Sequence, residues 1–285
     1  MSIILGLETA TERSSVALID EGQLLFELSL HHGRDLSRIL MSAVKSCFAL
    51  VRREMKEITG VAVSAGPGSF TGLRIGVTAA KTLAFALSIP AAPVSTLEAL
   101  AMGAVILDGQ QILALIDARR GEFFAALFKA SDGSVARLGA DSLVKASDLA
   151  CFADSQGEPG WDPGRRVVLV SAARSEAFET AVRSLKGSRT LLANPEAGQV
   201  ARIGALRIAE GHGVSAIDLE PFYLRRSYAE EKADEKADGQ AAGAMSDPAG
   251  GATTSKALER AAESKVGMPD NTPGTSRAAL GGADL

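Results

Sequence analysis

Cysteine, histidine and aromatic side chains are scarce in this sequence, and each scarcity excludes a class of protein. Among 285 residues there are 2 cysteines, Cys47 and Cys151, neither in a C-x-x-C pair, which rules out a disulfide-stapled secreted fold. The 3 histidines are His31, His32 and His212. Adjacent strand residues point to opposite faces, and without H-x-x-x-H spacing or a Cys/His cluster no metal site is predicted. No G-x-S-x-G elbow marks a serine hydrolase. No apolar run reaches the roughly 18 residues of a membrane span. The opening residues lack a basic region and meet Glu8 too early for a signal peptide. An excess of positive charge is missing too: residues 1–228 carry 24 bases and 24 acids. An autonomous nucleic-acid binder normally presents a basic face. A cytoplasmic protein with no membrane association is expected.

The net charge of −4 sits in the C-terminal stretch 229–285, where 10 acids face 6 bases without one Phe, Trp or Tyr. Such a segment buries too little apolar area to offset its chain entropy, so residues 229–285 are expected to be a disordered acidic tail. The chain as a whole is 46% apolar, and the part before the tail is long enough for a sizeable core.

Alternating and β-branched runs predict three strands in a meander at 3–8, 15–19 and 24–30, joined by short turns. Leu36, Ile39, Leu40, Ala43, Val44, Cys47, Phe48, Val51 and Met55 then recur at helical spacing, with Asp35 as the N-cap. A strand at 58–64 runs into the glycine-rich loop Gly66-Pro-Gly-Ser-Phe-Thr-Gly72, and a second helix follows over 71–87. In the second half the pattern of the first hairpin returns. Leu115-Ile-Asp117 ends an apolar strand, a turn follows, and residues 123–128 resume the strand, as Leu7-Glu8 does before 15–19. This weak repeat suggests two copies of one α/β unit. Farther on, a strand at 167–170, helices at 174–185 and 199–210, and a loop at 159–164 are predicted.

The glycine loop matches neither phosphate-binding fingerprint: no Gly-Lys pair follows it, and Thr71 stands where the dinucleotide pattern needs its third glycine. It reads as a tight strand-to-helix turn capped by Ser69 or Thr71, with anion binding at the helix N-terminus as the alternative. In the helix, Gly72, Gly76, Ala80 and Ala84 stand four apart. Glycine inside a helix costs about 1 kcal/mol relative to alanine, so this row implies close approach by another element, in this chain or another. Glu8 and Asp117 end apolar strands where α/β sites lie, either as site carboxylates or as turn-forming acids.

Leu7-Glu-Thr-Ala-Thr11 with Ser15-Val-Ala-Leu18, Gly66-Pro-Gly-Ser-Phe-Thr-Gly-Leu-Arg-Ile-Gly76, Val94-Ser-Thr-Leu97, Asp117-Ala-Arg-Arg-Gly-Glu122 and Glu220-Pro-Phe-Tyr-Leu-Arg225 together resemble the TsaB (YeaZ) family of tRNA threonylcarbamoyladenosine biosynthesis proteins, over residues 2–226. The resemblance implies two tandem RNase H-like (actin/Hsp70-like) α/β domains, at 1–104 and 105–228, followed by the tail at 229–285. It implies a non-catalytic subunit that activates the catalytic paralogue TsaD, with TsaE as a further partner, tRNA met through the complex, and a homodimer left open. ATP and metal are expected on TsaD and no cofactor on this chain. The paralogue's metal-binding histidine pair maps to Thr96 and Leu100. Glu8-Thr-Ala10 replaces the usual acid–glycine phosphate turn, so Glu8, Thr9, Gly66, Gly68 and Asp117 read as a vestigial phosphate site. The implied partner interface lies on the first two helices, at Ile39, Leu40, Val44, Phe48, Gly72, Gly76, Ala80 and Ala84. The alternative is an independent actin-like ATPase or kinase.

Removing residues 229–285 is expected to leave the melting temperature within about two degrees of the full chain. A scanning-calorimetry loss of several degrees would show that the tail packs on the body.

Overall fold

The computed structural model describes residues 2–31, 35–103, 109–157, 167–171 and 176–225; the tail at 229–285 and the loop at 159–164 lie outside them. The predicted meander is present as β1 (Ile3–Glu8), β2 (Arg13–Asp20) and β3 (Gln23–His31). Then come α1 (Leu36–Val51), β4 (Ile58–Gly66), α2 (Phe70–Leu87), β5 (Ala91–Ser95) and α3 (Thr96–Met102). The second half runs β6 (Gln111–Arg119), β7 (Glu122–Ser131), β8 (Ser134–Arg137), β9 (Ser142–Lys145), α4 (Leu149–Gln156), β10 (Val167–Ser171), α5 (Glu176–Ser184), β11 (Arg189–Leu192) and α6 (Ala197–Ala209).

The repeat is visible in the topology. The first sheet has the order β3-β2-β1-β4-β5 and the second β8-β7-β6-β10-β11, with β9 also pairing β7. Replacing β1 by β6, β2 by β7 and β4 by β10 turns one description into the other. Both begin with an antiparallel hairpin (β1 with β2, β6 with β7), and both add a parallel strand on the other side of the first strand. Glu8 and Asp117 hold equivalent places, each in the last turn-ward stretch of its unit's first strand.

Strand periodicity divides each sheet's side chains between two cores. Leu5, Leu7, Val16, Leu18, Val61 and Val63 pack beneath α1 and α2, while Ile4, Ile19, Ala62 and Val94 face α6. In the second sheet Leu115, Phe123 and Val170 face α4 and α5, and Ile116, Phe124 and Leu169 face α3. The two halves therefore exchange helices. Helix α3 follows the first sheet but covers the second, and α6 follows the second but covers the first. A boundary at 104/105 separates the sheets without separating their cores. Glycine makes the α6 contact close: a Cβ at Gly6 would strike the Ala197 carbonyl.

Helices α1 and α2 correct the residue-level reading of the partner surface. Leu40, Val44, Phe48, Gly72, Gly76, Ala80 and Ala84 are all buried in this chain, and Ile39 is half-buried. The apolar stripe of each helix is consumed by its own sheet, so these side chains have no surface left to offer a partner. Asp35 stands at the N-cap of α1, but its side chain accepts no capping bond. Ser69 does cap α2, accepting the Gly72 N–H at 3.3 Å. Helix α2, Phe70–Leu87, is 18 residues and, by length and composition alone, apolar enough to cross a membrane. Its Leu73, Val77, Ala80 and Leu83 are buried within the fold, and its other side carries Arg74 and Lys81.

The small residues of α2 are spent on the β1–β2 turn. A Cβ at Gly72 would meet the Thr9 carbonyl oxygen, and one at Gly76 the Thr9 side chain. A carbonyl cannot rotate away, whereas a threonine hydroxyl can. Gly72→Ala is therefore expected to lose about 1–3 kcal/mol in urea unfolding, and Gly76→Ala less, because alanine's helix preference returns up to about 1 kcal/mol. Equal midpoints for both variants and the parent would show that α2 has room.

Candidate functional site

The first hairpin turn, residues 9–12, is where the sequence-predicted site residues gather. Glu8 ends β1 opposite Ser15 and is fully buried. One carboxylate oxygen, Oε1, accepts the Ala10 N–H at 2.7 Å, and Oε2 is bonded by the Ser64 hydroxyl from β4. Burial pushes the Glu8 carboxyl up to about 7, against the opposing pull of bonds from Ser64, Ala10 and Thr11. The geometry suits a neutral acid as well: a proton on Oε2 faces the Ser64 oxygen while Oε1 goes on accepting from the backbone.

The glycine loop closes over the same turn. Ser69 N–H donates to the Ala10 carbonyl at 2.7 Å. A Cβ at Gly68 would lie 2.7 Å from the Ala10 Cβ. Thr9 sits beneath α2 with its Oγ1 buried and without a hydrogen-bond partner among the described residues. Gly66 faces elsewhere: it has φ of +127° and its open side is filled by the Phe222 carbonyl. Asp117 belongs to the second hairpin, where it repeats the role of Glu8, its Oδ1 accepting the Arg119 N–H at 2.7 Å. The turns are bridged by an exposed ion pair between Arg119 and Glu12. Glu8, Thr9 and Gly68 are thus brought together; Gly66 and Asp117 are not part of that cluster.

Three backbone donors beside this turn are engaged within the fold. A phosphate site needs free backbone N–H donors and space. Here the Ala10 N–H is taken by Glu8, the Ser69 N–H by Ala10 and the Gly72 N–H by Ser69. Both Glu8 oxygens are engaged as well. Among the described residues, no three His, Cys, Asp or Glu side chains converge as a metal site. Thr96 and Leu100 are both fully buried in α3, one without an imidazole and the other without any donor.

Two contributors escaped the sequence reading. Ser64 is a buried hydroxyl in an otherwise apolar strand, a signal that a polar partner lay opposite. Arg225 reaches the second hairpin, donating to the Ala118 carbonyl at 2.5 Å and pairing with Glu122. No local pattern announced a contact so distant in the chain.

Two sheets of one topology, each with an acid capping its first hairpin, define an actin/Hsp70-like α/β protein. A family model described as TsaD, tRNA N6-adenosine threonylcarbamoyltransferase, matches residues 31–232. The tRNA threonylcarbamoyladenosine biosynthesis protein TsaB of Bacillus subtilis is 30% identical over 235 residues, covering 80% of this chain and 96% of that protein. Its Escherichia coli counterpart is 32% identical over 241 residues, covering 80% and 97%. The solved structure of YeaZ from Pseudomonas aeruginosa superposes with a TM-score of 0.66 at 26% identity, over 79% of this chain and 100% of that one. The chain belongs to the TsaB (YeaZ) family.

Glu8 sets a pH dependence. Its folded pKa of about 7 lies above the usual 4.5, so its stabilising share is full below about pH 4.5 and falls away as pH rises through 7. At about 1.36 kcal/mol per unit this is on the order of 3 kcal/mol. Glu8→Gln, always neutral, is expected to flatten the stability profile between pH 5 and 8 in chemical denaturation. A profile parallel to the parent's would show that Glu8 does not titrate there.

Proposed function

We propose that this chain is the non-catalytic subunit that binds and activates a TsaD-type threonylcarbamoyltransferase in the cytoplasm. Adenosine 37 of ANN-decoding tRNAs is the position modified. The observation that carries the reading is the packed first hairpin, in a chain otherwise collinear with TsaB. The Ala10 N–H and the buried Glu8 are committed to one another, which supports a reading in which another subunit supplies the chemistry. ATP and metal belong on the TsaD partner in this reading. TsaE and tRNA join through the assembled complex, and a homodimer is a second use of the same surface. The independent ATPase or kinase is the less favoured reading, because the relatives at 30–32% identity are TsaB proteins and the Ala10, Ser69 and Gly72 N–H groups are already engaged.

Since the inward stripes of α1 and α2 are core, the partner meets their outward faces. There α1 exposes Ser42, Ser46 and Leu50, and α2 exposes Thr78, Thr82 and Phe85. Leu50 is 66% and Phe85 74% exposed, large apolar side chains left to water. Between the charged Arg38, Lys45 and Arg74, these faces carry small and apolar side chains that suit close helix packing between subunits, and burial contributes about 25 cal/mol per Å² before the costs of association.

Leu50→Asp and Phe85→Asp are expected to weaken capture of TsaD at least tenfold and to lower tRNA threonylcarbamoylation in the reconstituted system, with an unchanged circular dichroism spectrum. Unimpaired binding by both variants would move the interface off these helices. Steady ATP turnover by the isolated chain, lost in Glu8→Gln, would favour the enzyme reading instead.

A further inference from the structure

The segment after α6 leaves its own lobe and crosses to the other. Val214 pairs with Ala91 through two backbone bonds, 2.7 and 2.9 Å long, closing the β5 edge of the first sheet. Along the flank of α2, Lys81 Nζ donates to the Ile217 carbonyl at 3.0 Å, and the Tyr223 ring packs 5.0 Å from Phe70. Leu219 is fully buried in the core beneath α1 and α2. Phe222 N–H then donates to the Ala65 carbonyl at 2.6 Å, at the carboxyl end of β4. Just beyond, the chain has changed lobes: Leu224 packs on the core between α3 and the second sheet. Arg225 holds the carboxyl end of β6 through Ala118, and Glu122 at the start of β7.

We propose that residues 219–225 are a clasp that holds the two sheets in one relative position, with Arg225 as its latch. Three observations converge on this. The segment is anchored in a different core at each end. Its middle occupies the crevice outside the carboxyl ends of the strands, where a ligand of an open α/β sheet would lie, and the Phe222 carbonyl fills the space at Gly66 that a side chain would need. Its end is a charge-assisted pair that is largely shielded, with Arg225 and Glu122 side chains 20% and 25% exposed. The ion pair between the two hairpins, Glu12 with Arg119, is 67% and 66% exposed, and a pair so open to water holds little. The clasp thus does with the chain's own backbone what a bound ligand would do, and the lobes stay closed without one. Because the same segment lies along α2, it also makes the α2 ridge and the second sheet one rigid body. That last consequence rests on the partner reading above; the clasp itself does not.

The test uses the isolated full-length chain, so its outcome is independent of TsaD binding. Cys151 on α4 is exposed, whereas Cys47 is buried with its thiol pushed up to about 11 and stays unreactive. A spin label on Cys151 and a second at Lys45→Cys, on the exposed side of α1, report the separation of the lobes by pulsed EPR. The parent is expected to give one narrow distance. Arg225→Met should at least double the width of the distribution, Glu122→Gln should broaden it in the same direction, and Arg119→Met should change it least. Unchanged widths in Arg225→Met and Glu122→Gln, with native circular dichroism, would overturn the clasp. Should Arg225→Met fail to fold, Glu122→Gln, which keeps the shape of the side chain, decides alone.

Discussion

The structure depends on how the turn after β1 is filled. Four elements meet at residues 8–12: β4 through Ser64, the glycine loop through Ser69, α2 through the glycines facing Thr9, and the second lobe through Arg119. The buried contacts among these tolerate little displacement, because protein interiors are close-packed and a backbone carbonyl cannot move aside. The position of α2, whose outer face is free, is therefore set by the turn beneath it. A neutral or partly neutral Glu8 belongs to this arrangement, since burial pushes its carboxyl up to about 7 despite the bonds from Ser64, Ala10 and Thr11.

The two halves show what one topology permits. Each hairpin is closed by an acid that accepts the N–H two residues on, Glu8 from Ala10 and Asp117 from Arg119. The longer side chain of Glu8 also reaches Ser64 across the sheet, and the turn is drawn into the core. Asp117, one methylene shorter, serves its own turn, which stays at the surface with Arg119 two-thirds exposed. The exchanged helices explain why the lobes do not divide at a point in the sequence. A helix positioned between two sheets belongs to whichever face its apolar residues meet, and chain order does not decide that.

Much of the fold was legible from periodicity. The meander, α1, β4, the loop and α2 are where strand alternation and helical spacing put them. The weak match between the hairpins at Glu8 and Asp117 corresponds to a full repeat of strand order. The short elements were not legible. Strands of four residues such as β8 and β9 carry too few positions for a period, and α3 at seven residues is below two full turns. At the site, the reading of Glu8 and Asp117 as turn-forming acids was available from their place at strand ends. The direction in which the Gly72, Gly76, Ala80 and Ala84 row faces was not. Small-residue spacing states that something comes close, and it is silent on whether that neighbour is the chain's own hairpin or another subunit. For the two glycines the neighbour is Thr9, and the residues with surface to offer are those between the small ones.

That distinction matters because an actin-like fold can frame a partner as well as a ligand. Binding a phosphate requires backbone donors held free and a space kept empty, and both cost stability in a chain that must fold alone. Here the Ala10, Ser69 and Gly72 N–H groups are satisfied internally, and the Phe222 carbonyl lies against Gly66. What is left is a stiff frame. A subunit that acts by positioning a partner gains from such stiffness, because a surface that is already ordered loses less entropy on association. The longer acid at position 8 and the Cβ-bearing residues at 9 and 10 are the ones that knit the turn to β4, to the glycine loop and to α2.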